Sequence, residues 1–248
     1  MYRSMNGTLY LIPNSLGPGA LDEVLPTSVR QTTAQLDYFI AENAKTARAF
    51  LKLVSTTHPL GKPLQEIEIR ELNINTAASE LPALLAPLLA GRNAGLVSEA
   101  GVPAVADPGA DLVRLAHQKN IPVKPLVGPS SILLALMASG LNGQSFAFQG
   151  YLPTDSGQRA NRLRQLEQRS RQEKQTQIFI ETPYRNEAML EAIANHCTSS
   201  TLLTVATDLT LATETVRTQP VQIWKNEMTA GRFPDFKKKP TVFLLLAI

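Results

Sequence analysis

Apolar positions along this 248-residue chain recur in two alternating rhythms. Short runs at Thr8 to Pro13, Leu36 to Ala41, Ala94 to Ser98 and Pro122 to Val127 are continuous or period-two, the pattern of strands. Glu66 to Leu72 sets Ile67 and Ile69 against charges and reads as a half-exposed strand. Between these runs the spacing changes to three and four. Asn43 to Val54 places Ala47, Phe50, Leu51 and Val54 on one helical face. Thr76 to Ala90 reads as a helix opened by Thr76 and Ser79, with Pro82 tolerated in its first turn and Pro87 deep enough to kink it. Asp107 to Lys119 reads as a helix capped by Asp107, and Pro129 to Gly140 as one stopped by Gly140.

The alternation continues to the end of the chain. Strands are expected at Phe146 to Tyr151, Gln177 to Glu181, Leu202 to Thr207 and Thr241 to Ala247. Helices are expected at Gly157 to Lys174, Arg185 to His196 and Val221 to Met228. Strand and helix in regular turn predict an α/β protein with mostly parallel or mixed sheets. One run of alternation closes near residues 124 to 128. The expected organisation is therefore an N-terminal α/β domain over 1–125 and a C-terminal α/β domain over 126–248, without internal repeats.

Two loops stand out within this frame. Val97-Ser98-Glu99-Ala100-Gly101-Val102-Pro103 runs on through Asp107-Pro108-Gly109 between an apolar strand and an amphipathic helix. Small residues, prolines and glycines let its backbone approach a ligand, and Ser98, Glu99 and Asp107 supply oxygens to orient one. Gly128-Pro129-Ser130-Ser131 occupies an equivalent place after the next strand. Loops at the carboxyl ends of strands are where α/β proteins hold ligands. Two ordinary turns would read the same way from spacing alone.

Composition narrows the class. Hydrophobic residues make up 44% and charged residues 18%, which supports a folded core rather than disorder. The net charge of +3 permits an anionic partner without requiring one. Cys197 is the single cysteine, so an intrachain disulfide is excluded and a reducing, cytoplasmic setting is expected. Its surroundings suit an inert thiol better than a nucleophile. Three scattered histidines, His58, His117 and His196, show no metal-ligand spacing, so no metal is expected. Met1 to Gly7 is polar and reads as no secretory leader. The longest apolar stretches, Leu81 to Ala90 and Ile132 to Leu141, are too short to span a bilayer. A basic helix with Arg159, Arg162, Arg164, Arg169 and Arg171, and the run Lys237-Lys238-Lys239, are compatible with phosphate contacts. A solvated face is the plainer reading, because aromatic residues for base stacking are not interleaved with them. Gly17-Pro18-Gly19 raises an anion cradle as a third option, but lacks the lysine and glycine spacing of a phosphate-binding loop.

Five segments in order resemble the tetrapyrrole (corrin/porphyrin) methylase superfamily. They are Thr8-Leu9-Tyr10-Leu11-Ile12, the Val97 to Gly109 loop, Pro125 to Ser131 with Ala138-Ser139-Gly140-Leu141, Phe148 to Pro153, and Phe179-Ile180-Glu181-Thr182-Pro183-Tyr184-Arg185. Within that superfamily they are most similar to the branch of ribosomal RNA small-subunit 2′-O-methyltransferases. The resemblance implies two α/β domains with S-adenosylmethionine held in a cleft between them, in a homodimer. Carried over by motif, Ser98, Glu99, Ala100, Gly101 and Pro103 would line the methyl donor from the first domain. Ser130 and Ser131 would contact it from the second loop, and Glu181, Thr182, Asp208 and Leu209 from the second domain. The implied acceptor is RNA at a ribose 2′-hydroxyl. The alternatives are a tetrapyrrole or other small molecule, or a protein that binds the donor without catalysis. The acceptor side departs from the branch: its acidic-Thr-Arg cluster reads Ala41-Glu42-Asn43-Ala44-Lys45, and its histidine-rich segment reads Glu71-Leu72-Asn73-Ile74-Asn75. Glu42, Glu99 and Glu181 are the carboxylates that would face the reaction, and none is singled out as the base.

Overall fold

The computed structural model describes residues 6–248, so most of the polar lead-in at Met1 to Gly7 lies outside the described residues. The chain divides into two compact units, one ending at Ser130 and the other beginning at Ser131. That division falls just beyond residues 124 to 128.

The first unit is wound around a fully parallel sheet. Its strands are β1 (Leu9–Ile12), β2 (Tyr38–Ala41), β3 (Glu68–Glu71), β4 (Ala94–Val97) and β5 (Val123–Pro125), in the order β3-β2-β4-β1-β5. A parallel sheet covered on both faces needs strands that are apolar throughout, and β2 and β4 are buried at every position. Successive residues serve opposite faces. Leu9, Tyr38, Ile40, Ala94 and Leu96 pack with α4 (Leu81–Leu89) and α5 (Ala110–Gln118). Ile12, Phe39 and Val97 pack with α1 (Leu21–Val24), α2 (Thr27–Ala34) and α3 (Ala44–Ser55). Gly95 in β4 exists for this packing: a Cβ there would lie 2.6 Å from Ile12 Cδ1 and 2.8 Å from the Phe39 ring.

Connections through α1, α2 and α3 run one way along the sheet, and those through α4 and α5 run back. Adjacent strands β1 and β4 therefore send their chains in opposite directions. Their carboxyl ends mark the switch point where such sheets leave a crevice.

The second unit has a mixed sheet of β6 (Phe146–Tyr151), β7 (Thr176–Glu181), β8 (Leu202–Thr207), β9 (Thr215–Pro220) and β10 (Thr241–Leu246), ordered β6-β7-β10-β8-β9. Only β6 and β7 run parallel; β10 is antiparallel to both β7 and β8. Helices α7 (Ser156–Glu173), α8 (Asn186–His196) and α9 (Val221–Thr229) cover one face around Phe179, Trp224 and Phe243. Helix α6 (Ser131–Ser139) packs on β9 and β10, where the Thr218 hydroxyl donates to the Ser139 carbonyl at 2.7 Å. Among the described residues no helix is long and apolar enough to cross a membrane.

Three local expectations are corrected. Asp107 does not cap α5, which starts after Gly109 at φ 137° with no side-chain cap. Left-handed turns at Ala104, Ala106 and Gly109 carry the chain past Asp107 before the helix begins. The Thr76 to Ala90 segment splits into a 3-10 turn, Ala78–Glu80, and α4, which runs through Pro87 to Leu89. Elements α1, α2 and β9 were not expected. Thr-rich α2 and the polar edge strand β9 carry almost no periodic apolar signal; burial of Val29 and Ala34 stabilises the former, and pairing with β8 the latter.

Candidate functional site

In the first unit, three loops meet at the carboxyl edge of the parallel sheet. The chain after β1 is fixed to the chain after β4 by a two-residue bridge. Asn14 N–H donates to the Gly101 carbonyl at 2.8 Å, and Gly101 N–H donates back at 3.2 Å. The Asn14 side-chain amide donates to the carbonyls of Ser98 and Glu99, at 3.3 and 3.2 Å. Gly101 takes φ 68°, a region that favours glycine, and a Cβ on it would lie 3.6 Å from the Pro129 carbonyl. Gly128 presses on Pro13, where an added Cβ would fall 2.2 Å from Cγ. The loops after β1, β4 and β5 thus form one surface in which backbone, rather than side chain, makes the approach.

Acidic groups gather beside that surface. Asn43 caps α3, accepting from the N–H groups of Lys45 and Thr46 at 2.8 and 3.3 Å. This cap sets Glu42 at the end of β2 and Thr46 in the first turn of α3, where its hydroxyl donates to Glu99. Burial raises the Glu42 carboxyl, and the negative charge of Glu99 raises it further. Burial, helped by the charges of Glu42 and Glu99 and opposed by a hydrogen bond from Ser98, pushes Asp107 up to about 6. Asp107, read from sequence as a cap, is instead a partly buried carboxyl held well above the usual carboxylate range.

In the second unit, β7 and β8 flank β10, so their carboxyl ends lie side by side. Register places Glu181 opposite Thr241, and Thr241 opposite Thr207. Glu181 is buried. Its Oε1 accepts from Thr182 N–H at 2.7 Å, the Thr182 hydroxyl at 3.2 Å, and Arg185 Nε and a terminal guanidinium nitrogen at 3.0 and 2.5 Å. Arg185 is the partner that the sequence did not reveal. Glu181 Oε2, Thr207 Oγ1 and Asn186 Oδ1 are buried without a hydrogen-bond partner among the described residues. Asn186 meanwhile donates to the Lys239 carbonyl and the Thr241 hydroxyl, at 3.0 and 2.9 Å. Asp208 and Leu209 follow Thr207 on the same edge. Asp208 takes φ 53°, accepts from the Thr213 hydroxyl at 2.8 Å and lies 3.7 Å from Lys239 Nζ.

The expected site residues therefore fall into two clusters, each at the carboxyl edge of its own sheet. Ser98, Glu99, Ala100, Gly101 and Pro103 share the first with Asn14, which sequence reading passed over. Glu181 and Thr182 share the second with Asp208 and Leu209. Ser130 closes the first unit and Ser131 opens α6. The α7 arginines are occupied locally: Arg162 donates to Gln149 at 2.8 Å, Arg164 to Asn161 at 2.9 Å, and Arg169 pairs with Glu173 at 3.1 Å. Cys197 is half-buried, and burial pushes its thiol up to about 12. No group of three or more His, Cys, Asp or Glu placed to hold a metal occurs among the described residues.

Comparison with known proteins agrees with this geometry. Residues 8–223 match the model of the family described as Tetrapyrrole (Corrin/Porphyrin) Methylases. A protein of Synechocystis sp. named "Ribosomal RNA small subunit methyltransferase I" is 34% identical over 204 residues, 82% of this chain and 67% of its own length. Proteins of the same name from Halalkalibacterium halodurans and Vibrio cholerae are each 34% identical, over 74% and 68% of this chain. The matched stretch spans 58% of the length of each of these two. Among solved structures, the methyltransferase CobJ superposes with a TM-score of 0.62 at 16% identity, covering 97% of this chain and 94% of that one. The cobalt precorrin-4 methyltransferase CbiF superposes with a TM-score of 0.60 at 14% identity, covering 99% and 97%. The fold of those enzymes, the loops at the carboxyl edge of the parallel sheet and a match over most of the sequence agree, and the chain belongs to the tetrapyrrole (corrin/porphyrin) methylase family of methyltransferases.

Proposed function

We propose that this protein methylates RNA, at a ribose 2′-hydroxyl, with S-adenosylmethionine as donor. The observation that carries the reading is the backbone cradle at the carboxyl edge of the first sheet, where Asn14 and Gly101 lock two loops together. The residues fit the donor. Gly101 and Gly128 let the loops after β1, β4 and β5 close on one another, and Glu181 Oε2 is a buried acceptor still lacking a partner among the described residues. The residues proposed to contact it are Ser98, Glu99, Ala100, Gly101, Pro103, Ser130, Ser131, Glu181, Thr182, Asp208 and Leu209. When bound, the donor supplies an electrophilic methyl group on a sulfonium.

The protein's own task is alignment and proton removal. Loops fixed by hydrogen bonds hold a reacting pair in line, an effect that contributes several kcal/mol in such displacements. A ribose hydroxyl must also lose its proton. Asp107, raised to about 6, lies close enough to neutral pH to accept it, with Glu42 and Glu99 beside it. The name shared by the relatives favours RNA over a tetrapyrrole. The same reading takes the protein as a homodimer acting in the cytoplasm.

Titration calorimetry with S-adenosylmethionine, followed by transfer of labelled methyl into RNA from cells lacking the protein, tests the assignment. Donor binding and label in ribosomal RNA are expected. Absence of donor binding at millimolar concentration would defeat it.

A further inference from the structure

We propose that Tyr184, Lys237 and Lys238 form a landing platform for a single-stranded stretch of the acceptor RNA, one base stacking on the tyrosine ring while the lysines meet phosphates. This rests on the proposed function and extends it to the way the acceptor is held. The sequence keeps the lysine run and the aromatic residue more than fifty positions apart; the fold of the second unit brings them to one cavity. That cavity, of about 470 Å³, is lined by Pro183, Tyr184, Glu187, Asp235, Lys237 and Lys238 among others. It falls within the size range of small-ligand sites.

Exposed tyrosines are common, and exposure alone would mean nothing. Here Tyr184 is 82% exposed and is carried on a constrained turn. Tyr184 sits in the 3-10 turn Pro183–Arg185, whose proline fixes the local backbone. The next residue, Arg185, is clamped to buried Glu181 and holds its guanidinium 5.9 Å from the ring centroid. The constrained backbone presents the exposed ring at a fixed place beside the cavity, so less order has to be imposed when a base stacks on it.

The lysines divide by role. Lys239 is committed to Asp235 at 3.0 Å and lies 3.7 Å from Asp208. Lys237 and Lys238 are exposed and enter no ion pair with a carboxylate among the described residues. Two exposed ammonium groups beside an exposed aromatic are the elements of sequence-tolerant recognition of single strands, although Lys237 also acts on the Asp235 carboxylate at the same cavity. Glu187 on the same cavity repels phosphate but can accept from an exocyclic amine of a stacked base. The turn carrying Tyr184 directly follows Glu181 and Thr182, so the platform adjoins residues proposed to hold the donor.

The test is fluorescence anisotropy of a labelled oligouridylate against the full chain over a range of salt, with donor affinity measured in parallel. Tyr184→Ala is expected to weaken RNA binding between about five- and a hundred-fold, the value of one stacked base. Tyr184→Phe should keep it within about two-fold. The double variant Lys237→Gln/Lys238→Gln should lower the salt slope by about 1.4, for two single-strand phosphate contacts. Donor affinity should be unchanged in all three. If the wild type binds RNA, and Tyr184→Ala and the lysine pair bind it equally well with the same slope, the platform is wrong and the proposed function stands. If the wild type binds donor but neither binds nor methylates RNA, that function fails and takes the platform with it. Tighter binding of a polyglutamate peptide, lost in the same variants, would assign the surface to a protein partner and overturn the inference.

Discussion

Asp107 illustrates how one residue's neighbours decide its role. In sequence it stands before a helix and invites reading as a cap; in the fold it is a partly buried carboxyl facing two others. Its carboxyl rises from 3.8 to about 6, so the folded protein holds that proton more firmly than the unfolded chain. The contribution to stability is full below about pH 4 and is lost as the pH climbs through about 6. Asp107→Asn should remove that loss, raising stability at neutral pH by roughly 1–2 kcal/mol once solvent screening of this partly exposed group is allowed for, and flattening its pH dependence in urea melts. The same change should lower methyl transfer by about 100-fold or more if the carboxylate takes the acceptor's proton. Unaltered pH dependence would show that Asp107 is solvated. At Gly128 the expectation is steric. A Cβ would strike the Pro13 ring, which cannot rotate away. Gly128→Ala should cost about 1–3 kcal/mol in urea unfolding and weaken donor binding.

At the scale of elements, the strands were the most legible part. Apolar runs announced β1, β2, β4, β6, β7, β8 and β10, most plainly in β2 and β4, because a strand buried on both faces has no room for polar residues. The helices around the sheets were readable where one apolar face was regular, as in α3 and α5, and invisible where it was not, as in α2. The polar row formed by Glu181, Thr241 and Thr207 across three strands was not legible at all, since register between strands distant in sequence creates it. Within that row Arg185 and Glu181 form a buried pair with one carboxylate oxygen taking every bond. Removing the cation leaves the buried Glu181 carboxylate without its counter-charge. Arg185→Ala should therefore destabilise by about 3 kcal/mol or more, measured by urea denaturation, and Glu181→Gln by less. Equal costs would indicate that the pair is worth no more than its packing.

At the scale of the whole molecule, each unit carries its own core and its own cluster of expected donor residues. The proposed donor contacts predict a specific exchange pattern. Saturating S-adenosylmethionine should slow amide exchange both in the loops after β1, β4 and β5 and at Thr182 and Leu209. Unchanged exchange at any of these segments would contradict its proposed donor contact. The loops after β4 and β5 were visible in the sequence because glycines and prolines at fixed places are local requirements of backbone geometry, at Gly101 above all. Local pattern also determined the α/β class and most elements, because hydrophobic period follows directly from backbone repeat. Only the tertiary structure decided that Asn14 locks the cradle, that Asp107 belongs to a carboxylate cluster, that Arg185 neutralises Glu181, and that Tyr184 shares a cavity with Lys237 and Lys238. Burial, register and charge proximity are relations between distant residues, and they come into being when the chain closes on itself.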